Sequence, residues 1–386
     1  MHNLPYWRLS GFYFFYFAFV GAMAPFWGLY LKSLEFNAFQ IGVLMSLLQV
    51  MRIFAPNIWG MVADRSGKRV AIVQMAVALS LASFIPVFFG NSFAWLFVAM
   101  SSMSFFWSAS LPLVEATTLS HLGEKTAKYG RIRLWGSVGF IAAVIGLGYL
   151  FDFVPIRWLL WAVLAVLTAL LLFSRHIPEA VIVPHHTDHL PIWHIIRRPE
   201  VLVFIFAGFL MAAAHGPYYT FYSIYLVDHG YAKSSVGLLW SLGVVCEIGV
   251  FLWMPRLLRR FSLRQVLLAS FACAVLRFLM IGWGVGSVTV LVVAQLLHAA
   301  TFGAYHSAAV QIVHRLFKGR HQSQGQALYN SFSFGAGGTL GGLYSGMAWE
   351  GLGAAETFSI AAGCALLAFV LVAWKGGVGG EPAKQL

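Results

Sequence analysis

The chain has 386 residues, of which 60% are hydrophobic and only 10% are charged, and its formal net charge is +12. Soluble proteins average about 25% charged residues, and a soluble chain of this size could not bury so much apolar surface. The composition therefore excludes a soluble protein and indicates one that is embedded in lipid. The three cysteines lie in apolar runs without metal-ligand spacing, so neither a metal site nor a disulfide framework is expected.

Twelve apolar runs each approach or exceed the roughly 20 residues that a helix needs to cross the hydrocarbon core of a bilayer. The first run has no small-residue cleavage site behind it, so we interpret it as an uncleaved membrane helix. The predicted helices cover residues 10–31, 38–62, 70–89, 93–120, 131–151, 156–174, 199–227, 235–256, 263–283, 287–314, 324–348 and 355–374.

The chain repeats itself at an offset of about 195 residues. This offset superimposes glycines, leucines, serines and basic residues without gaps, and it places Arg52 on Glu247. The two halves are therefore alike in pattern and opposite in this buried charge. We predict an all-α integral membrane fold of twelve transmembrane helices in two pseudo-symmetric six-helix bundles, 1–174 and 199–386, joined by a cytoplasmic linker at 175–198. Superimposed pairs include Gly21 and Gly216, Gly42 and Gly237, Ser46 and Ser241, and Arg69 and Arg264.

Basic residues indicate the orientation. With the N-terminus placed in the cytoplasm, 19 of the 25 Lys and Arg residues fall in cytoplasmic segments, and only Lys32, Arg157 and Lys233 fall outside. This is a strong positive-inside bias, so both termini are expected in the cytoplasm of a cell with an inner membrane. The positive net charge then reflects topology and contact with anionic lipid, not nucleic acid. The histidines of the linker lack a partner cysteine, and we interpret them as a solvated segment.

Five charged residues fall within predicted membrane helices, where each is costly and normally faces a polar cavity or another charge. Structural ion pairing is the simpler explanation, but two Arg–Glu pairs would still leave one Arg over. The five are Arg52, Glu115, Arg133, Glu247 and Arg277.

Two helices carry stripes at spacings of three and four residues, which put the side chains on one face. Helix 10 has Gln295, His298, Thr301 and Tyr305, and its histidine together with buried Glu and Arg is compatible with a proton relay. Helix 7 has a stripe that indicates either packing or substrate contact, and it consists of His215, Tyr218, Tyr222 and Tyr225.

The twelve helices and the turn GMVADRSGKR at 60–69 together resemble the major facilitator superfamily. The resemblance implies that this turn gates transport through Asp64, Arg65 and Arg69. Glu115 and Arg133 are similar to the substrate-binding pair of the lactose permease group. Glu247, Arg277 and His298 resemble the coupling residues of the same group.

Two positions depart from that pattern, because Thr301 stands where the lactose permease group has its proton-bearing Glu and Gln295 where it has a Lys. Similarity is greater to the phenylpropionate permease group, through YGRIRLWGSVGF, AHGPYYTFYSIYL and VGLLWSLGVVCEIGVF. That group is thought to move aromatic carboxylates with protons.

We therefore expect a secondary active transporter, a proton-coupled symporter of a small organic anion such as an aromatic carboxylate. No GxxxxGK[ST] signature is present to supply energy from ATP. The alternative substrates are sugars or nucleosides. An integral-membrane enzyme is the alternative from another class, but it would need a polar cluster such as HxxxD or DDxxD, which the sequence lacks. We expect a monomer without cofactor or metal, whose partners are substrate, protons and lipids.

The excess of buried positive charge favours an anionic substrate, because a carboxylate offsets the cost of a buried cation. Arg133 is the expected anchor and Arg52 the second, with Glu115 beside them. Glu247 is the expected proton carrier and Glu115 its rival. The expected aromatic wall consists of Trp27, Phe140, Tyr218 and Tyr222.

Overall fold

The computed structural model describes residues 4–123, 128–180 and 192–375. These residues are almost entirely helical and form no β-strand. Eleven of the helices in this part of the chain are long and apolar enough to cross a membrane. The remaining predicted run, 324–348, lies within an unbroken helical stretch at 322–351 whose many glycines lower its hydropathy.

Twelve helical segments, which we number α1 to α12, agree with the predicted runs to within a few residues. They are α1 Tyr6–Ser33, α2 Ala38–Ser66, α3 Arg69–Phe84, α4 Phe93–Leu122, α5 Tyr129–Phe153, α6 Leu159–Ser174, α7 Pro199–Asp228, α8 Lys233–Arg260, α9 Leu263–Gly284, α10 Val288–Leu316, α11 322–351 and α12 Ala354–Trp374. Within the predicted linker, Trp193–Ile196 form one helical turn, and residues 181–191 lie outside the described part.

The sequence repeat is visible in the way that helices begin. Ser92 caps α4 by accepting the backbone N–H of Trp95, and Ser287 caps α10 by accepting that of Val290. The two serines stand at the repeat offset. A serine oxygen at this position satisfies one of the backbone donors that the first helical turn leaves open. Both repeats therefore use the same signal to begin their fourth helix.

Three helices depart from regular α-geometry. In α7, the first part, Pro199–Ala214, ends before His215 and the second part, Gly216–Asp228, begins with Pro217 near its start. Proline cannot donate the hydrogen bond that would continue the first part. α10 contains a π-helical segment at Ala299–Ala304, and α11 contains another at Asn330–Gly337. π-Segments inside α-helices occur frequently at functional sites.

The described residues divide into two compact units. The first is drawn from Met1–His185 and Tyr231–Leu238, and the second from His186–Gly230 and Leu239–Leu386.

Close backbone contacts hold α1 against α5 in the first unit. A Cβ at Gly139 would overlap the carbonyl of Phe14, and one at Gly21 would lie 2.8 Å from the carbonyl oxygen of Phe140. In the second unit, a Cβ at Gly216 would overlap the backbone of Gly341. Small residues at such crossings allow helices to approach closely where lipid provides no hydrophobic drive for association.

Candidate functional site

In the first unit, α4 and α5 bring Glu115 and Arg133 together. Arg133 Nε lies 3.9 Å from Glu115 Oε1, and both side chains are about one third exposed, at 33% and 36%. The hydroxyl of Tyr129, one turn before Arg133 on the same face of α5, donates to Glu115 Oε1 at 3.1 Å. The predicted pair is therefore a partly accessible cluster of carboxylate, guanidinium and phenol.

Aromatic rings of α1 support the guanidinium of Arg133. Its central carbon lies 3.9 Å from the centre of the Phe17 ring and 5.8 Å from that of Tyr13. Tyr13 is itself held by a hydrogen bond of 3.3 Å with Thr118. Stacking on rings fixes the plane of a guanidinium while leaving its N–H groups available. Sequence reasoning did not single out Phe17, Tyr13 or Tyr129.

Arg52 is exposed on α2 and donates to Gln49 on its own helix at 3.2 Å. The hydroxyl of Tyr16 lies within electrostatic range of Arg52, Glu115 and Arg133. All three charged residues predicted in the N-terminal half therefore act electrostatically on Tyr16.

Two members of the predicted aromatic wall belong to the packed interior of the first unit. Trp27 is 2% exposed and its ring stacks on Tyr30 at 5.0 Å. Phe140 is 8% exposed and its backbone is the close neighbour of Gly21. Both side chains are buried in this conformation, and their contact with substrate stays a prediction.

In the second unit, Arg277 is completely buried, and its hydrogen-bond partners among the described residues are neutral. Its Nε donates to the carbonyl of Ala294 at 3.1 Å, and Nη1 donates to the hydroxyl of Thr301 at 3.3 Å. The guanidinium carbon lies 4.2 Å from the centre of the Tyr218 ring. Its third nitrogen, Nη2, has no hydrogen-bond partner in the described part of the chain.

Glu247 of α8 lies beside His298 of α10, with Oε2 and Nε2 4.0 Å apart. The Glu247 side chain is 17% exposed and that of His298 is 7% exposed. Glycines permit this approach, because a Cβ at Gly303 would lie 3.1 Å from Cγ of Glu247, and one at Gly243 would lie 3.0 Å from Cδ2 of His298. Two of the three predicted coupling residues are thus neighbours in the structure.

Tyr218 is the centre of the second cluster. It stacks on Tyr222 at 4.9 Å and on His298 at 5.7 Å, and its hydroxyl donates to Oε1 of Gln295 at 3.1 Å. Trp240 packs on the Tyr218 ring at 4.6 Å. Tyr218 and Tyr222 of the predicted helix 7 stripe are both buried.

The turn at 60–69 lies at the end of α2. Gly67 adopts a left-handed conformation with φ of 66° and closes the helix, which explains why glycine follows the last helical residue. Asp64 is exposed and lies 4.0 Å from Arg69 in an ion pair, while Arg65 is exposed. Glu179, which sequence reasoning did not identify, accepts the backbone N–H of Val70 with both carboxylate oxygens 3.1 Å away.

Among the described residues, no group of three or more His, Cys, Asp or Glu side chains is placed to hold a metal ion.

Comparison with known proteins agrees with this architecture. The chain matches the MFS_1 like family over residues 6–360. It is 30% identical over 349 residues to a protein of Escherichia coli K12 named "probable 3-phenylpropionic acid transporter", covering 88% of this chain and 90% of that one. It is 27% identical over 381 residues to a maltose permease of Geobacillus stearothermophilus, covering 96% and 95% of the two chains.

A solved structure shares the fold. The crystal structure of the nucleoside transporter NupG superimposes with a TM-score of 0.83 at 21% identity, covering 97% of this chain and 99% of that one.

Proposed function

The chain belongs to the MFS_1 like family and is a multi-pass membrane transporter of the major facilitator type, and from this premise we propose that it imports a small organic anion together with protons. The proposed substrate is an aromatic carboxylate resembling 3-phenylpropionate. Arg133 is the proposed anchor for the carboxylate, and Arg52 is a second cation near it.

The observation that carries this proposal is the state of the Arg133 guanidinium. It is one third exposed, it lies 3.9 Å from Glu115, and it donates no hydrogen bond to any described residue. An arginine fork binds a carboxylate through two parallel hydrogen bonds. Because its N–H groups are available and the Phe17 ring lies against its guanidinium, Arg133 can form that pair.

The rings near Arg133 support an aromatic body for the substrate. Phe17 and Tyr13 flank the guanidinium, and Tyr16 lies in the same neighbourhood. Offset or edge-to-face contacts between aromatic rings add about 0.5–1.5 kcal/mol to the burial of their area. A carboxylate held by Arg133 would bring a phenyl group two or three carbons away within reach of these rings.

Glu247 is the proposed proton carrier. It is partly accessible, it lies 4.0 Å from His298, and it occupies the apolar middle of α8. A carboxylic acid in such a place can take up a proton when the site faces one side of the membrane and release it on the other. Glu115 remains the rival carrier, because it also lies in a helix and already accepts a hydrogen bond from Tyr129.

We propose a monomer in the cytoplasmic membrane with both termini and the linker inside the cell. The basis is the strong excess of basic residues in the segments that this orientation places in the cytoplasm. Substituted-cysteine labelling with a membrane-impermeant reagent tests it, and labelling of positions in 175–180 from outside intact cells would contradict it.

Sugars or nucleosides are the second candidate substrates. Glu115 and Arg133, 3.9 Å apart and bridged through Tyr129, offer both an acceptor and a donor to a hydroxylated ligand. The maltose permease and nucleoside transporter relatives agree with this candidate. It differs from the first in needing no anion.

Uptake of radiolabelled 3-phenylpropionate into proteoliposomes, with and without an inward proton gradient, tests the proposal. Wild type should accumulate the acid only with the gradient, and Arg133→Gln should lose most of its affinity. Arg131→Gln, on the same helix and exposed, is the matched control and should behave as wild type. If neutral sugars or nucleosides are taken up and every aromatic acid fails, the anion proposal is wrong.

A further inference from the structure

The second unit contains buried nitrogen atoms that lack hydrogen-bond partners, on three residues in contact with Tyr218 and on His215, whose ring lies beside that of His298. Arg277 and Gln295 are completely buried, and His215 and His298 are each 5% exposed. Each has one nitrogen without a partner in the described part of the chain: Nη2 of Arg277, Nε2 of Gln295, Nε2 of His215 and Nδ1 of His298. Buried polar groups are normally paired, so four such atoms in one cluster require an explanation.

The four side chains are neighbours. Tyr218 receives the Arg277 guanidinium on its face at 4.2 Å, stacks on His298 at 5.7 Å and donates to Gln295 at 3.1 Å. The rings of His215 and His298 are 6.5 Å apart. The unpaired atoms therefore belong to one place in the fold.

The cluster supplies donors and positive charge, and its carboxylate, Glu247, lies beside His298 at 4.0 Å, whereas the hydrogen-bond partners of Arg277 among the described residues are neutral. Because the hydroxyl of Tyr218 donates to Oε1 of Gln295, the unpaired Nε2 of Gln295 is a donor. Arg277 contributes a second unpaired donor and carries a full charge, while its partners Thr301 and Ala294 are neutral. A buried charge without a counter-charge is costly, and an anion that accepts from both donors would remove that cost.

His215 can adjust to such an anion. The ring of His215 contacts the Met211 carbonyl through Nδ1 at 2.8 Å, so the proton of a neutral ring resides on Nδ1. Its Nε2 then accepts a hydrogen bond when the ring is neutral and donates one when the ring is protonated.

Two helix irregularities lie next to members of the cluster in the chain. α7 breaks at His215, immediately before Gly216 and Pro217, and the π-segment of α10 begins at Ala299, immediately after His298. Interrupted membrane helices supply backbone groups and freedom of movement at the binding sites of transporters. The unpaired atoms are closed to solvent in this conformation, and these two irregularities are the places where the site would open.

We propose that Arg277 and Gln295, with His298 and His215 beside them, form an anion site within the second unit, separate from Arg133 in the first. Its ligand is a small monovalent anion, either an inorganic ion such as chloride or the carboxylate of an organic acid. The site does not depend on the identity of the transported substrate.

The test uses the full chain in lipid nanodiscs and measures the thermal unfolding midpoint during titration with sodium chloride, sodium acetate or sodium 3-phenylpropionate at constant ionic strength. Wild type should show saturable stabilisation by at least one of these anions. Saturation by chloride identifies an inorganic anion, and saturation by the carboxylates alone identifies an organic acid.

Two variants and one control variant test whether the stabilisation by added anion arises at the cluster. Gln295→Glu places a tethered carboxylate beside Arg277, so it should raise the midpoint without added anion and weaken the anion response roughly tenfold or more. Arg277→Met removes the charge and should abolish the response to chloride and acetate. The 3-phenylpropionate response is compared in the Arg133→Gln background, so that binding at Arg133 does not contribute. Gln311→Glu, on the same helix and away from the cluster, should respond as wild type.

The inference is overturned if wild type shows no saturable response, or if Gln295→Glu and Arg277→Met respond as wild type does. The proposed substrate is judged separately by transport. If the protein binds chloride through Arg277 but takes up no aromatic acid, the proposed function is contradicted and the proposed anion site is supported.

Discussion

The guanidinium carbon of Arg133 lies over the ring of Phe17, 3.9 Å from its centre. The interaction joins two helices, since Arg133 belongs to α5 and Phe17 to α1. Cation–π contacts are worth about 0.5–1 kcal/mol at exposed sites and about 2 kcal/mol when desolvated. The contact with Phe17 therefore restrains the Arg133 guanidinium at the proposed substrate site.

Replacing Phe17 by leucine should weaken substrate binding without unfolding the protein. We expect the concentration for half-maximal uptake to rise roughly three- to tenfold, because the guanidinium loses its fixed plane. Phe17→Tyr keeps an aromatic ring at this position, so its concentration for half-maximal uptake should be close to that of wild type. Phe15→Leu, which removes a ring that packs on Phe173, is the control for loss of an aromatic residue on α1. Equal defects in Phe17→Leu and Phe15→Leu would show that packing alone is responsible.

Glu247→Gln should abolish accumulation against a gradient and leave exchange partly active. The amide cannot carry the proton, but it can still occupy the space beside His298. Uptake and counterflow in the same proteoliposomes separate the two properties. Glu350→Gln, at the exposed end of α11, is the matched control. Full proton-driven uptake by Glu247→Gln would transfer the role to Glu115.

Asp64→Asn should slow transport while substrate binding survives. The carboxylate is exposed and paired with Arg69 at 4.0 Å, and such pairs contribute about 0–1 kcal/mol, too little to unfold the chain. If the ion pair favours one access state by that free energy, its loss changes the ratio of the two access states by up to about fivefold. We expect the transport rate to fall by a factor in this range. Lys68→Gln in the same turn should have no effect. Loss of binding in a folded Asp64→Asn protein would refute a gating role.

Gly139→Ala should destabilise the first unit, because its Cβ would overlap the Phe14 carbonyl of α1. Overpacking of this kind costs about 1–3 kcal/mol. Gly146→Ala, two turns later on the same helix, meets nothing within 4 Å and should leave the unfolding midpoint unchanged or slightly higher. The two midpoints in one detergent provide the measurement, and equal midpoints would contradict the proposed close contact.

The helices could be predicted from the sequence, because a chain in lipid must satisfy its backbone hydrogen bonds within each segment. The neighbourhood of Arg133 and Glu115 followed from a resemblance, and the structure brings the two within 3.9 Å. Phe17 could not be identified, because it is one of six consecutive aromatic residues at 12–17 and only packing decides which ring meets the arginine.

Two other features were beyond sequence reasoning for different reasons. Glu179 accepts a backbone N–H in the first turn of α3, although it lies 109 residues further along the chain than Val70. No local sequence pattern predicts a partner at that distance. The π-segments leave hydropathy unchanged, since an extra residue in a turn alters geometry and not composition. The proximity of Tyr129 to the site could have been predicted from the sequence, because it precedes Arg133 by four residues on one helical face.

The π-segment at Ala299–Ala304 is the place where α10 can lose one residue and stay in register. A π-turn holds one residue more than an α-turn, so deleting one residue here would convert the segment to regular α-helix and keep the two flanking parts in their relative orientation. Each residue of an α-helix turns the chain by about 100°, so the same deletion elsewhere in α10 would rotate everything that follows by that angle. The number of residues in this segment, more than their identity, therefore sets its local geometry. A single-residue gap in an alignment of related chains at this point would therefore mark a change of geometry.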